Sequence, residues 1–174
     1  MTAAPAGQQG PVRCTAAPPD PDAFAPFGAF VIAPARVGDR AHFSEWLVPV
    51  DGLAQQSHMN RVAPTPLPAV VRRVERHPHA AQLFVPVGVS RYLVTVMPSD
   101  ADGGPDRERA HAFVVPGTTG VVYRPGTWHA GIAVLDHEAS FGVFMWRGAE
   151  DDDVFEEIAP LEVVLPPHRP GSEP

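Results

Sequence analysis

The sequence predicts an all-β domain, a sandwich or barrel of short strands, and three observations carry that prediction. Apolar, β-branched and aromatic runs recur at 69–75, 82–87, 91–97, 110–115, 119–123, 128–135 and 141–146, the length and composition that strands prefer. Turn residues stand between almost all of them: His77-Pro78, Pro86 to Gly88, the loop PSDADGGPD at 98–106, Pro116-Gly117, Pro125-Gly126 and Asp136 to Ser140. No window of a dozen residues repeats apolar positions at i, i+3, i+4 and i+7, so α/β folds and the phosphate sites at their helix N-termini are excluded. At 174 residues the chain suits one domain with one core.

Taken in order, residues 1–21 are rich in Pro, Ala and Gly without apolar periodicity and are expected to be a disordered leader, mobile or draped on the surface. The ordered domain is expected over 22–165. From Asp22, DAFAPFGAFVIA predicts one helical turn, a glycine break and a strand over Phe30 to Ile32. His42 to Val50 mixes alternation with Pro49, which lacks a ladder donor, so an edge strand or strand end is expected there. Residues 51–68 suggest an irregular connection, after which the regular strands follow. Glu150 to Asp153 is expected to be a solvated acidic loop, and Val154 to Ile158 one helical turn or a surface strand. Residues 166–174 are expected to be a flexible tail.

Charge and cysteine content narrow the function. With 13 Lys+Arg against 20 Asp+Glu the net charge is -7, which argues against a phosphate-tracking surface and so against nucleic acid. Cys14 is the only cysteine, so no internal disulfide and no cysteine metal cluster can form, and a reducing, cytoplasmic setting is expected. No apolar run approaches the roughly 20 residues that span a bilayer, and the N-terminus lacks the pattern of a signal peptide. No membrane partner is expected.

Two segments about fifty residues apart concentrate the chemistry. In Glu75-Arg76-His77-Pro78-His79-Ala80-Ala81-Gln82, strand alternation puts Glu75, His77 and, if the backbone stays extended through Pro78, His79 on one face. His79 follows a proline and is expected to be exposed. Gln82 opens an apolar strand, where a buried amide needs a partner in the fold or in a ligand. Glu75 has two readings, a salt-bridge partner of Arg73 or Arg91, or a ligand or base. In the second segment, Val121 to His129, Pro125 fixes φ and Gly126 allows a positive one, so a sharp turn sets His129 in a fixed place. Tyr123 is expected to put its hydroxyl at a cavity mouth, Trp128 to form a cavity wall, and Arg61 to offer a planar fork to a carboxylate. Imidazole and carboxylate together suit a first-row divalent ion such as zinc, nickel, iron or manganese, with an amide oxygen as a weaker ligand.

These segments resemble the paired motifs of the cupin superfamily. Glu75-x-His77-x4-Gln82 is similar to the first, with Glu in place of its first histidine, and Tyr123 to His129 is similar to the second, a Pro-x-Gly-like turn followed by a histidine. The resemblance narrows to the ureidoglycolate lyases, also called ureidoglycolate hydrolases. Val74-Glu75-Arg76-His77-Pro78 followed by Gln82-Leu83-Phe84-Val85-Pro86 resembles their ERHP…Q-x-F-[IV]-P signature. Further agreement lies at Phe24 to Gly28, Asn60-Arg61, Leu67-Pro68, Tyr92 to Val96, Ala112 to Val114, Gly120 to Tyr123 and Trp128-His129, over roughly residues 22–165. Ala130-Gly131 stand where that family carries a second histidine and a proline, and Arg40 and His42 only loosely echo its Arg-x-His-like segment.

The resemblance implies a single-domain cupin barrel, the double-stranded β-helix or jelly roll, and an enzyme that cleaves (S)-ureidoglycolate to glyoxylate and urea in allantoin breakdown. It also implies a homodimer acting on a small-molecule carboxylate. Such a hemiaminal needs a base at its hydroxyl, an acid or hydrogen bond at the urea, and a cation for its carboxylate. His129 and His77 are the candidate bases, with or without a divalent ion (nickel, manganese or zinc) held by His77, Gln82 and His129. Glu75 or Gln82 would hold the urea and Arg61 the carboxylate, with Tyr123 and Trp128 lining the substrate. Two alternatives are a cupin that binds or isomerises another small carboxylate or sugar acid, and a non-catalytic cupin.

Overall fold

The computed structural model describes residues 10–167. In chain order they form β1 (Val12–Thr15), α1 (Pro21–Phe24), β2 (Gly28–Ile32), β3 (Ala54–Val62), β4 (Ala69–Arg76), β5 (Gln82–Val87), β6 (Arg91–Met97), β7 (His111–Pro116), β8 (Thr119–Tyr123), β9 (Trp128–His129), β10 (Ala133–Val134), β11 (Ala139–Arg147) and β12 (Val154–Val164). One sheet runs β1-β12-β4-β9-β6-β10 with β7 also on β6, and the other β2-β8-β5-β11-β3. Apart from the parallel β1–β12 pair the strand ladders are antiparallel, giving the all-β architecture that the strand pattern predicts, in the form of the two-sheet jelly-roll barrel that the resemblance implies.

The core lies between the sheets and is aromatic: Phe24, Phe30, Phe84, Tyr92, Phe113, Tyr123 and Phe141 pack with Val94, Val96, Val121 and Val143. The helical turn α1 serves it. Pro21 opens the turn, Asp20 Oδ1 accepts the amides of Asp22 and Ala23, and Phe24 is thereby driven onto Phe30 at 4.5 Å and Phe113 at 5.6 Å. Gly28 lets β2 approach β8, because a Cβ there would collide with the Val122 carbonyl oxygen. A second cluster on the outer face of the larger sheet holds Leu93, Met97, Trp128, Leu161 and Val163.

The structure corrects four local expectations. The leader is part of the domain from Val12, which pairs in parallel with Leu161; Val12 and Cys14 alternate onto the outer cluster beside buried Ala16, a face too small-residued to stand out in the sequence. Residues 1–9 and 168–174, which include most of the expected tail, lie outside the described residues. Residues 42–50 form turns rather than a strand, and Trp46 and Leu47 cap the outer side of Leu83 and Val122. Within 51–68, Ala54–Val62 is a strand whose residues 54–61 are all exposed; with no buried face it shows no apolar alternation, and its nine register pairs with β11 hold it. Finally, 128–135 splits into β9 and β10; from Val154 the strand, one of the two expected readings, is the one found, and it runs on to Val164.

Asp136 takes a positive φ of 69° and receives two hydrogen bonds from the Arg91 guanidinium, each 2.9 Å, and one from the Ser90 hydroxyl. Those bonds hold its carboxyl below the ordinary carboxylate range. A depressed folded-state pKa stabilises above the unfolded value and is lost as pH falls through it. Asp136→Asn is therefore expected to lower stability at pH 7 by at most about 1 kcal/mol, since the pair is two-fifths exposed, with the gap to the parent protein closing below about pH 4. Urea titrations at pH 7 and at successively lower pH down to about pH 2 check both parts.

Candidate active site

The two chemical segments meet because β4 and β9 are neighbours. Glu75 and His129 are direct cross-strand partners, so their side chains share a face, and the Gly126 amide donates to the His77 carbonyl at 2.8 Å. Gly126 sits at φ 78°, the conformation the Pro-Gly turn requires. The His77 and His129 rings lie 5.3 Å apart, and one ligand atom from each of Glu75, His77 and His129 falls within 4.8 Å of the others. Tyr123 stacks on His129 at 4.2 Å, and Gln82 is the cross-strand partner of Tyr123. Chain segments remote in sequence thus bring five polar side chains into one interior neighbourhood.

Each histidine is oriented through Nδ1. His129 Nδ1–H donates to the Thr127 carbonyl at 2.9 Å, and His77 Nδ1–H faces the Asp152 carbonyl at 3.0 Å and Asp153 Oδ1 at 2.9 Å. With the proton on Nδ1, both Nε2 lone pairs point into the site. His77 Nε2, His129 Nε2, Gln82 Oε1 and the Tyr123 hydroxyl are buried and have no hydrogen-bond partner among the described residues. Unsatisfied groups are rare in a folded interior, and four of them together mark where a ligand belongs.

Burial pushes the His77 pKa down, helped by the charge of His129, so His77 is neutral at pH 7. For Glu75 burial pushes the carboxyl pKa up, but the imidazoles of His129 and His77 beside it outweigh burial and hold it below its usual value, so the carboxyl is ionised at pH 7. The 3.5 Å from His129 Nε2 to Glu75 Oε1 is an ion-pair distance rather than a good hydrogen bond. Burial raises the Tyr123 hydroxyl well above its usual value and keeps it protonated.

The same atoms form a donor set that fits a divalent ion. Two imidazole Nε2 atoms and a carboxylate converge, both imidazoles are backed at Nδ1 as metal-binding histidines are, and Gln82 Oε1 is an unpartnered buried amide oxygen. The geometry groups Glu75 with the two histidines, where the sequence reading had the amide of Gln82 as third ligand.

Other expected site residues fall elsewhere. Arg61 is on the edge strand β3, opposite Ser140, exposed and ion-paired with Glu138; it faces away from Phe141 and Val143, whose side of β11 is the core. Trp128 packs in the outer cluster, donates Nε1–H to the Gly103 carbonyl and is covered by Arg76, because alternation that turns His129 inward turns Trp128 outward. Tyr123 has its hydroxyl inside rather than at a mouth. Glu75 pairs with neither Arg73 nor Arg91, the latter being engaged by Asp136. His79 is partly exposed as expected and meets Asp151 at 2.7 Å.

The acidic run is not a solvated loop. Asp151 holds His79, the Asp152 carbonyl and Asp153 carboxylate hold His77, and Arg147 clamps Asp153 with both terminal nitrogens, Nη1 at 2.9 Å. Sequence reasoning missed Arg147, Asp152 and Asp153. The available signal was on β11, where Phe141, Val143 and Met145 alternate inward and Arg147 continues the series. Asp153→Ala is expected to lower kcat by about 10- to 100-fold with KM little changed, because it frees the His77 ring without touching substrate. Steady-state kinetics check this.

The sequence matches the profile of the ureidoglycolate lyase family over residues 12–165. It is similar to a ureidoglycolate lyase of Chelativorans sp. (strain BNC1), 33% identical over 165 residues that cover 88% of this chain and 98% of that one. It is also similar to a ureidoglycolate lyase of Schizosaccharomyces pombe, 37% identical over 99 residues, about half of each chain (53% and 52%). Among solved structures, a dTDP sugar isomerase from Desulfovibrio desulfuricans G20 aligns over 76% of this chain and 82% of that one, at 17% identity and a TM-score of 0.44. With a profile that spans most of its length and a relative matched almost end to end, the chain belongs to the ureidoglycolate lyase family.

Proposed function

We propose that the protein is a ureidoglycolate lyase that cleaves the hemiaminal C–N bond of (S)-ureidoglycolate to glyoxylate and urea. The observation that carries this reading is the buried pairing of a neutral His77 with His129 and an ionised Glu75. His77 Nε2 accepts the hydroxyl proton, and Asp153 at Nδ1 steadies the imidazolium that results. The oxygen electron pair closes the carbonyl of glyoxylate as the C–N bond breaks. That bond's electrons leave on the ureido nitrogen, which regains the proton that His77 took from the hydroxyl, so that the proton moves from oxygen to nitrogen with no net change in the enzyme; His129, whose ring lies 5.3 Å from that of His77, stands beside this path. The Gln82 amide oxygen and Tyr123 hydroxyl hold the departing urea, which offers N–H donors and a carbonyl acceptor.

A divalent ion (nickel, manganese or zinc) held by Glu75, His77 and His129, with Gln82 as a weaker fourth donor, would supply Lewis acidity at the hydroxyl oxygen. Metal analysis separates the two uses of these atoms: one ion retained per chain assigns them as ligands, and metal-free protein that turns over assigns them as the acid–base pair. A homodimer belongs to the same reading, supported by β3, whose exposed residues form the end of its sheet. A cytoplasmic location is supported by the unpaired Cys14. No helix among the described residues is long and apolar enough to cross a membrane.

The test is to incubate purified protein with ureidoglycolate and measure glyoxylate, urea and ammonia. Equimolar glyoxylate and urea are expected. Glyoxylate release no faster than the spontaneous rate, with and without added nickel or manganese, would sink the reading; ammonia in place of urea would make the enzyme a hydrolase of the urea group.

A further inference from the structure

We propose that Arg73 is the residue that takes the substrate carboxylate, and that Gly131 keeps open the small cavity through which substrate reaches Glu75. This subsite rests on the lyase reading for its substrate, but its geometry calls only for a small carboxylate.

A solvent-open cavity of about 140 Å³ is lined by Arg73, Val74, Glu75, Gly131 and Phe155. It touches the polar cluster at Glu75. Glu75 is 24% exposed whereas His77 and His129 are 5% and 2% exposed, so Glu75 is where the cluster meets solvent. Three larger surface hollows, about 470, 400 and 330 Å³, are lined by none of Glu75, His77, Gln82, Tyr123 or His129. The volume is below the roughly 300–1,000 Å³ of sites for drug-sized ligands, so a small acid fits and a sugar nucleotide does not.

Arg73 and Glu75 share one face of β4, since Val74 between them packs into the outer cluster. Phe155, the cross-strand partner of Glu75, lies under the Arg73 guanidinium at 4.5 Å. Stacking fixes the guanidinium plane and leaves its N–H edge available for a bidentate contact with a carboxylate. Among the described residues Arg73 forms no ion pair, although Glu75 and Glu157 are its neighbours on the sheet. A fixed, unpaired cation at the mouth of a cavity that ends on a catalytic carboxylate is a recognition site for an anion. It also lets an anionic substrate approach ionised Glu75, which would otherwise repel it.

Gly131 also lines the cavity. A Cβ added there meets nothing within 4 Å, and its φ lies outside the left-handed region, so a larger side chain would cost little in the backbone and would stand in the cavity.

The experiment is calorimetric titration of glyoxylate into the full-length protein, its Arg73→Ala, Arg73→Lys and Gly131→Leu variants, and Arg72→Ala as a control on the adjacent exposed cation. Circular dichroism melts verify the fold of each. Binding about tenfold or more weaker in Arg73→Ala, partial retention in Arg73→Lys, loss in Gly131→Leu and no change in Arg72→Ala are expected. Wild-type affinity in folded Arg73→Ala or Gly131→Leu, or no binding by the wild-type protein, would overturn the proposal. A kinetic arm uses hydroxymethylurea, the same hemiaminal without the carboxylate: Arg73→Ala should lower kcat/KM for ureidoglycolate and leave that for hydroxymethylurea unchanged, and equal losses on both would count against it. If the wild-type protein binds glyoxylate through Arg73 yet releases none from ureidoglycolate, the lyase reading fails and the subsite stands.

Discussion

Replacing His129 by alanine is expected to lower kcat/KM for ureidoglycolate by about 10³-fold, within the range of roughly 10²–10⁴ that a positioned acid or base contributes. The ring sits at the centre of the site: it stacks on Tyr123, faces Glu75 across the β4–β9 pair and lies 5.3 Å from His77. Its Nε2 makes no hydrogen bond among the described residues and only approaches Glu75 Oε1 to 3.5 Å, so the one hydrogen bond lost is to the Thr127 carbonyl. Stability should therefore fall by only about 1–2 kcal/mol, mainly from the vacated volume. Activity and melting temperature of one preparation distinguish this from a structural role, in which the melt would drop and the remaining folded protein would keep its rate.

The largest effect on stability is expected at Phe141. Its side chain is fully buried on β11, packs edge to face on Tyr92 at 5.1 Å and on Phe84 at 6.3 Å, and joins the strands of both sheets through those rings. Phe141→Ala should cost about 3–5 kcal/mol, a large share of the roughly 5–15 kcal/mol that holds a domain together. At about 2–4 °C per kcal/mol for a chain of this size, the melting temperature should fall by about 10 °C. Urea unfolding gives the free energy directly. A loss below about 1 kcal/mol would mean that the two sheets do not share this core.

The contrast between those residues explains what was legible in the sequence. Strands with a buried face announce themselves: Tyr92, Val94 and Val96 alternate with Leu93 and Met97 into two clusters, so β6 stands out as a continuous apolar run. The strand β3 has no buried face from 54 to 61 and is specified by its ladder with β11, which sequence pattern does not record. The same division holds in the site. Glu75, His77 and His129 were legible because a two-residue period and a Pro-Gly turn fix their directions. Arg147, Asp152 and Asp153 were not, because they reach His77 through the fold of β11 and β12, and an acidic run on its own looks solvated. Arg61 misled for the opposite reason, since a guanidinium signals its chemistry without its side of the sheet.

The most direct measurement of a single two-part site is a double-substitution cycle on His77 and His129, read as kcat/KM for glyoxylate release from ureidoglycolate. Groups that act as one unit are not additive, so the His77→Ala/His129→Ala protein should be no slower than the worse single variant, within about threefold. Multiplying losses, with the double variant slower by the product of the two single effects, or a folded double variant that retains wild-type activity, would contradict a site shared by these two segments.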